Sequence, residues 1–423
     1  MSDPVPFFRE VAAAHPRCFW LDGGGAREWS GRRSIIGWLD DDAPSLTYDA
    51  ATGVVTRHAA GRSTAVGTDV FAALESAIRP GEQWFGYLGY AARPDLPAAT
   101  GSGLPDAVWM RASHVRVFDH PVGSGQGSFQ RSPADRGSLS LSARARPDNL
   151  SESLTTSYAD AFDRVQEHLH AGNSYEVNLT HRVDVDSDLD PVPAYLRLRE
   201  LNPAPYAGFL QHDVAGARAW LLSSSPERYA LVTADRHLET KPIKGTTPRG
   251  RTAEEDAALR ERLRSDPKTR AENLMVVDLL RNDLAMVCEP GTVEVPALMQ
   301  VESYESVHQL VSTVRGRLRR DVTTVGALRA LFPAGSMTGA PKLRTMQIVD
   351  EVETIPRGPY AGAFGWIGGD GPADLGVVIR SLVTAGDGTW RLGTGGGITV
   401  RSDAAEEWAE AGWKAERLLR VFD

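Results

Sequence analysis

Asp266-Pro267-Lys268-Thr269-Arg270-Ala271-Glu272-Asn273-Leu274 opens the segment on which the reading of the fold turns. Asp266 is suited to cap a helix by accepting from a free N–H of its first turn, and Pro267 suits the first helical position. Leu274, Val277, Leu280 and Leu284 then follow at helical spacing, so a helix is expected with these residues as its apolar seam and Glu272 just ahead of it. Outward in both directions the pattern changes. Tyr158, Phe162, Val165 and Leu169 mark a helix over 157–170 that Gly172 stops, and Tyr175-Glu176-Val177-Asn178-Leu179-Thr180 reads as a strand. Beyond the central helix, Pro341 opens another helix through 352, and 404–421 reads as a closing helix. Strands are expected over 360–367 and 376–384. Strands and helices are thus mixed without regular βαβ alternation and without an internal repeat, which makes the fold class α+β.

The first part of the chain is rich in Gly, Ala, Trp and Tyr. Its short apolar runs, such as Trp84-Phe85-Gly86-Tyr87-Leu88 and Val115-Arg116-Val117-Phe118, read as mainly strand and turn. Gly123-Ser124-Gly125-Gln126-Gly127-Ser128 and its neighbours hold too little apolar surface to bury and read as a linker. The expected organisation is an N-terminal subdomain over 1–120, a linker over 121–150 and a main domain over 151–423. At 423 residues, with 42% hydrophobic and 24% charged side chains, the chain has ample material for a core and lies outside the disordered, collagenous and coiled-coil classes. The 46 basic and 55 acidic residues leave a net charge of −9, so no bulk electrostatic term favours nucleic acid or an anionic membrane. No apolar run reaches the length of a membrane span, no leader pattern opens the sequence, and Cys18 and Cys288 form neither a disulfide framework nor a metal-thiolate spacing. A cytoplasmic protein is expected.

Three groups of residues carry possible chemistry. Glu407, Glu410 and Lys414 fall at i, i+3 and i+7 on the closing helix, and Glu272 lies on the earlier one. Carboxylates from two helices, completed by water and a substrate carboxylate, suit Mg²⁺, although the same spacing also describes an ordinary solvated face. Gly335-Ser336-Met337-Thr338-Gly339-Ala340-Pro341-Lys342 is a small-residue loop running into a helix start, where free N–H groups suit an anion or simply make a tight turn. Pro242-Ile243-Lys244-Gly245-Thr246 sets a lysine beside a glycine that permits close approach. Tight enclosure is expected to lower the Lys244 pKa and free its amine for attack, the alternative being a surface lysine after a strand.

Together with Ser225-Pro226-Glu227-Arg228, Pro248-Arg249-Gly250, Arg357-Gly358-Pro359-Tyr360-Ala361-Gly362 and Gly395-Gly396-Gly397-Ile398, these segments resemble the chorismate-utilising enzymes in family order. That family holds anthranilate synthase component I, aminodeoxychorismate synthase component I and the isochorismate and salicylate synthases. The resemblance runs from about residue 155 to the end, with Trp29-Ser30-Gly31-Arg32 and Pro203-Ala204-Pro205-Tyr206 as weaker markers. It implies a large composite fold of two packed, mostly antiparallel sheets flanked by helices, and an N-terminal subdomain of the family's type.

What the resemblance implies for the site is specific. Lys244 would be the covalent nucleophile, and a lysine there is characteristic of the branch that aminates chorismate at C4. Glu227 would be the general acid, its pKa raised by burial or nearby acids. Glu272 and Glu410 would hold Mg²⁺ with Glu407 beside them. Thr338, Gly339, Tyr360, Arg380, Gly395 and Lys414 would hold the substrate, and His308 would line the same pocket or serve as a structural donor. Glu176 stands where the isochorismate and salicylate synthases carry a water-activating lysine. Many relatives have glutamine there, and histidine where Asn273 stands. Neither cysteine sits in the elbow of a glutaminase, so the ammonia is expected from a separate glutamine amidotransferase subunit in a heterodimer. Anthranilate synthase component I is the nearest alternative, and a non-catalytic regulatory module a lesser one.

Overall fold

A computed structural model describes residues 3–23, 33–120, 155–304 and 307–423. The expected linker and the marker at 29–32 lie outside the described residues. Side chains alternate between the two faces of a strand, and here both faces are apolar. In Arg17–Asp22, Cys18 and Trp20 point one way and Phe19 the other, and all three are fully buried. A strand of this kind needs a layer on each side.

The layers are two antiparallel sheets. The first has nine strands, running Gly339–Ala340, Glu176–Asp186, Thr389–Ile398, Ser381–Thr384, Ala219–Ser225, Tyr206–His212, Arg17–Asp22, Arg33–Trp38 and His114–Asp119. The second has twelve, and its central run is His237–Lys241, Arg228–Val232, Ala373–Val377, Ala363–Gly368, Gln83–Leu88 and Ala107–Arg111. Its far end carries Val307–Arg317, flanked by Ile243–Pro248 and Glu294–Ser303. Residues 17–120 therefore extend both sheets. Arg17–Asp22 pairs with Tyr206–His212 in one, and Gln83–Leu88 with Ala363–Gly368 in the other.

Between the sheets, Phe19, Leu210 and Leu221 meet Phe85, Tyr87 and Phe364. The Phe19 and Phe85 rings stack with centroids 3.8 Å apart. On the outer face of the first sheet, helices Pro4–Ala14, Pro191–Leu201 and Ala404–Leu419 cover Trp20, Phe209 and Trp390. On the outer face of the second, Val70–Ala77, Pro267–Ala285 and Thr324–Leu331 cover Tyr48, Trp109, Tyr229 and Val314.

The central helix starts as expected, with Asp266 accepting from the Thr269 N–H at 2.7 Å and Pro267 in the first turn. Its seam differs by one position: Val276, Val277, Leu280 and Leu284 are buried, while Leu274 is exposed. Four-residue spacing from Leu280 leads to Val276, which leaves Leu274 on the flank of the stripe. The expected strand over 376–384 is divided, because Arg380 takes φ +51° between Ala373–Val377 and Ser381–Thr384. Helices Pro4–Ala14 and Val70–Ala77 add to the strand-and-turn reading of the first part. Each has an aspartate cap, Asp3 and Asp69, accepting first-turn N–H groups.

One buried pair ties the sheets to the site. Arg357 donates to Glu353, to the Met337 carbonyl and to the Asn178 carbonyl, each at 2.7 Å, and both side chains are almost wholly buried. Removing one member leaves a buried charge uncompensated. Arg357→Met should therefore lose about 3–5 kcal/mol of stability, read as a lower midpoint in urea unfolding with an unchanged slope.

Candidate active site

The strand Glu176–Asp186 lies between Gly339–Ala340 and Thr389–Ile398 and holds the site's parts in register. Gly339 has φ +133°, and a Cβ there would sit 2.0 Å from the Glu176 carbonyl oxygen. Only glycine lets the 335–342 loop run against that strand. Lys342 pins the loop from behind, donating to Asp283 at 2.7 Å and to the carbonyls of Leu331 and Pro333 at 2.6 and 2.9 Å. The loop then presents Ser336, whose hydroxyl donates to Glu227 at 2.7 Å.

Lys244, on the strand Ile243–Pro248, reaches across to Glu176 and forms an ion pair with its carboxylate. Glu176 is 2% exposed, and its Oε2 has no hydrogen-bond partner among the described residues. The surface-lysine alternative is therefore excluded, and so is the expected pKa. Burial alone would lower the Lys244 pKa, but the carboxylates of Glu176, Glu272 and Glu227 outweigh it and raise it above the ordinary lysine value. Enclosure by acids stabilises the ammonium more than desolvation penalises it.

Glu227 behaves as expected of an acid. Burial pushes its pKa up to about 7, against the Ser336 hydrogen bond and the charge of Lys244. Burial also raises Glu272 to about 7, against Lys244, with Glu176 and Glu407 adding to the rise. No hydrogen bond or ion pair to Glu272 is found among the described residues. On the closing helix, Glu407 is buried and accepts from Ser402 at 2.7 Å and Lys268 at 3.3 Å. Glu410 pairs with Lys414 at 2.7 Å, and Lys414 also donates to the Gly395 carbonyl at 2.8 Å. Burial works to raise the Glu410 pKa, but Lys414 and then Lys268 and Lys244 bring it below the ordinary value.

Arg380 lies close enough to Glu410 to feel its charge. Arg380 has no carboxylate partner among the described residues; burial lowers its pKa, with Tyr360 and Glu410 acting against that. Its guanidinium lies 5.8 Å from the Trp413 ring centroid. Thr338 is buried, its hydroxyl turned to the Gly335 carbonyl at 3.2 Å. Tyr360 borders a cavity of about 230 Å³ between Tyr158, Trp408 and the 352–360 segment, which none of Lys244, Glu227 and Arg380 lines. His308 stands apart: its ring nitrogens are engaged by Ser303 at 2.8 Å and Asp256 at 3.0 Å, and Asp256 also holds Arg249. No hydrogen bond or ion pair joins His308 to Lys244 or Glu227 among the described residues.

Sequence reading did not assign Ser336, Lys268 or the Glu176 contact. Ser336 lay inside a recognised loop without a partner to suggest its role. Lys268 had a signal, because it precedes Glu272 by four residues on one helix face.

A model of the family described as chorismate binding enzyme matches residues 17–420. The chain belongs to that family. As a chorismate binding enzyme it is 41% identical to the aminodeoxychorismate synthase of Streptomyces griseus over 97% of its own length, and spans 61% of that relative's. It is 37% identical to anthranilate synthase component 1 of Streptomyces coelicolor, over 79% of this chain and 71% of the relative. Among solved structures, anthranilate synthase component I from Streptococcus pneumoniae superposes with a TM-score of 0.72 at 27% identity, covering 93% of each chain.

The raised Glu227 pKa has a thermodynamic consequence. The unfolded chain gives up this proton near pH 4.5 and the folded chain near 7. Its contribution to stability is therefore complete below pH 4.5 and is lost as pH rises through 7. Glu227→Gln stays neutral throughout, so in urea unfolding the wild type should fall behind the variant by on the order of 3 kcal/mol between pH 5 and pH 8. A gap that is the same at both pH values contradicts the burial argument.

Proposed function

We propose that this chain aminates chorismate at C4 to give 4-amino-4-deoxychorismate, with ammonia supplied by a glutamine amidotransferase subunit outside the chain. The observation that carries the reading is Lys244: a largely buried amine within reach of Glu176 and Glu227, at the position where the family resemblance sets its nucleophile. The aminodeoxychorismate synthases among the relatives support the same branch.

Chorismate is a dianion, and the pocket's carboxylates would repel it without added positive charge. Arg380, a half-buried cation with no carboxylate partner among the described residues and coupled to Tyr360, suits one carboxylate, and the family resemblance adds the Gly395 backbone and Lys414. Thr338 and Gly339 would close the ring's other side. Glu272 and Glu410, with Glu407 adjacent, fit Mg²⁺: they are oxygen donors from two helices, and Glu272 accepts no other bond among the described residues. Among the described residues no three potential ligands form a ready-made cage. Bound there, the metal would supply positive charge to the second substrate carboxylate.

Lys244, once its ammonium proton is gone, attacks C2. Both ring double bonds shift, the C4–O bond breaks, and Glu227 gives its proton to the leaving hydroxyl as water. Its pKa near 7 leaves a substantial fraction able to donate at neutral pH. Ammonia then adds at C4, both double bonds return to their places, and the C2–N bond to Lys244 breaks. Chorismate and ammonia thus give the amine and water. Cys18 and Cys288 are both buried, and burial raises their thiol pKa values, so neither supports a glutaminase step within the chain.

The test is mass analysis of the product from chorismate, Mg²⁺ and ammonium. The expected product keeps its enolpyruvyl group, whereas pyruvate release with a fluorescent aromatic amine would identify the anthranilate reaction instead. Lys244→Ala should lower turnover by about three orders of magnitude or more, and Lys244→Arg should not restore it, because a guanidinium stays protonated.

A separate prediction addresses the metal. Excess chelator, or Glu272→Gln, should abolish turnover while the circular dichroism spectrum and melting temperature are retained. Full activity in chelator would remove Mg²⁺ from the scheme.

A further inference from the structure

We infer that Glu176 is the group that takes the proton from the Lys244 ammonium before attack and returns one when the amine is expelled. The inference rests on the reading of Lys244 as nucleophile given above. An ammonium has no lone pair, so the first step requires an acceptor in contact with Nζ. Glu176 makes that contact, with Nζ donating to Oε1.

The other acids facing the amine do not touch it. Glu227 approaches from the turn after Ala219–Ser225, Glu272 from Pro267–Ala285 and Glu410 from the closing helix, and all act on Lys244 through space. Glu227 is already committed to Ser336 and to the leaving hydroxyl, and Glu272 and Glu410 to the metal proposed above. Glu176 has no such commitment: its Oε2 is buried without a partner among the described residues.

The backbone is shaped around this pair. Gly339 packs on the Glu176 carbonyl, as described. On the other side, a Cβ on Gly397 would lie 2.0 Å from Glu176 Oε1 and 3.0 Å from Lys244 Nζ. Gly397 therefore leaves the space that the carboxylate and amine fill, while Gly339 makes room for the backbone that carries the carboxylate.

The protons balance. Ammonium and carboxylate become amine and carboxylic acid, and the amine then forms the C2–N bond. When ammonia adds at C4 and the C2–N bond breaks, the departing amine regains a proton. Because the transfer is internal, the total number of protons on the pair is unchanged, and the pair itself adds no pH dependence to adduct formation beyond that of the Glu227 acid.

The test uses the Mg²⁺-loaded full chain and chorismate without ammonia, following the Lys244 adduct by intact mass across pH 6–9. Wild type should decline only as Glu227 loses its proton near pH 7, with no rising limb. Glu176→Gln cannot accept the proton, so its adduct rate relative to wild type should fall about 10²–10⁴-fold at pH 7, and that ratio should climb about tenfold per pH unit as solvent deprotonates the lysine. Glu176→Asp should recover part of the rate and the wild-type profile. Chorismate affinity should stay within a few fold, showing an intact pocket. A glutamine variant as fast as wild type or faster at pH 7 would mean that the carboxylate only holds the ammonium back, and overturns the inference. A loss equal at every pH, or tracking chorismate affinity, also overturns it by assigning a purely structural role. Absence of any Lys244 adduct in wild type is a different failure, that of the nucleophile reading itself.

Discussion

An ammonium enclosed by carboxylates from separate parts of the chain is the condition that the rest of the site answers to. Lys244 neutralises one acid by contact, yet Glu227, Glu272 and Glu410 also face it. Bringing so many acids together raises the cost of each ionised form. The structure meets part of that cost locally, with Lys268 on Glu407 and Lys414 on Glu410. It meets another part by protonation, since Glu227 and Glu272 hold protons up to about pH 7. On the reading proposed above, the acidic side would take a cation and Arg380 an anion, and the resting site would be electrostatically complementary to its ligands rather than to itself.

Such an arrangement holds its shape only if its backbone is held from outside. The strand Glu176–Asp186 supplies that support through successive inward residues. Glu176 meets Lys244, Asn178 donates to the Met337 carbonyl at 3.2 Å, and the Thr180 N–H and hydroxyl meet Glu353 at 2.8 and 3.0 Å. Arg357 joins the last two of these positions, and Lys342 secures the far end of the 335–342 loop. The Arg357–Glu353 part of this network, in which both charges are hydrogen-bonded, gains from the low dielectric around it. The aromatic layer between the sheets then resists any relative shift of the strands that carry the opposing groups.

Local features of the fold were legible in the sequence, and contacts across the sheets were not. Asp266-Pro267 located the central helix because cap and first-turn chemistry are local, and the 157–170 pattern predicted all four buried residues of Thr156–His170. Leu274 was misplaced because spacing alone does not say where an apolar stripe ends. The family motifs pointed to Lys244, Glu227 and Glu272, and the burial expected to raise Glu227 is present. The direction of the Lys244 shift was not accessible. It depends on a carboxylate 68 residues away, brought close by sheet order, and no periodicity encodes which strand lies beside which. Enclosure was foreseen, but the sign of a pKa shift depends on what does the enclosing.

The interleaving of early and late strands bears on how the protein is made. Gln83–Leu88 finds its neighbour in Ala363–Gly368, and Arg17–Asp22 waits for Tyr206–His212. At ordinary elongation speeds the first of these strands leaves the ribosome on the order of tens of seconds before its partner does. During that interval Trp84, Phe85 and Tyr87 sit on an open sheet edge with neither face fully covered. Such an edge invites pairing with other nascent chains until Ala363–Gly368 emerges to cover it.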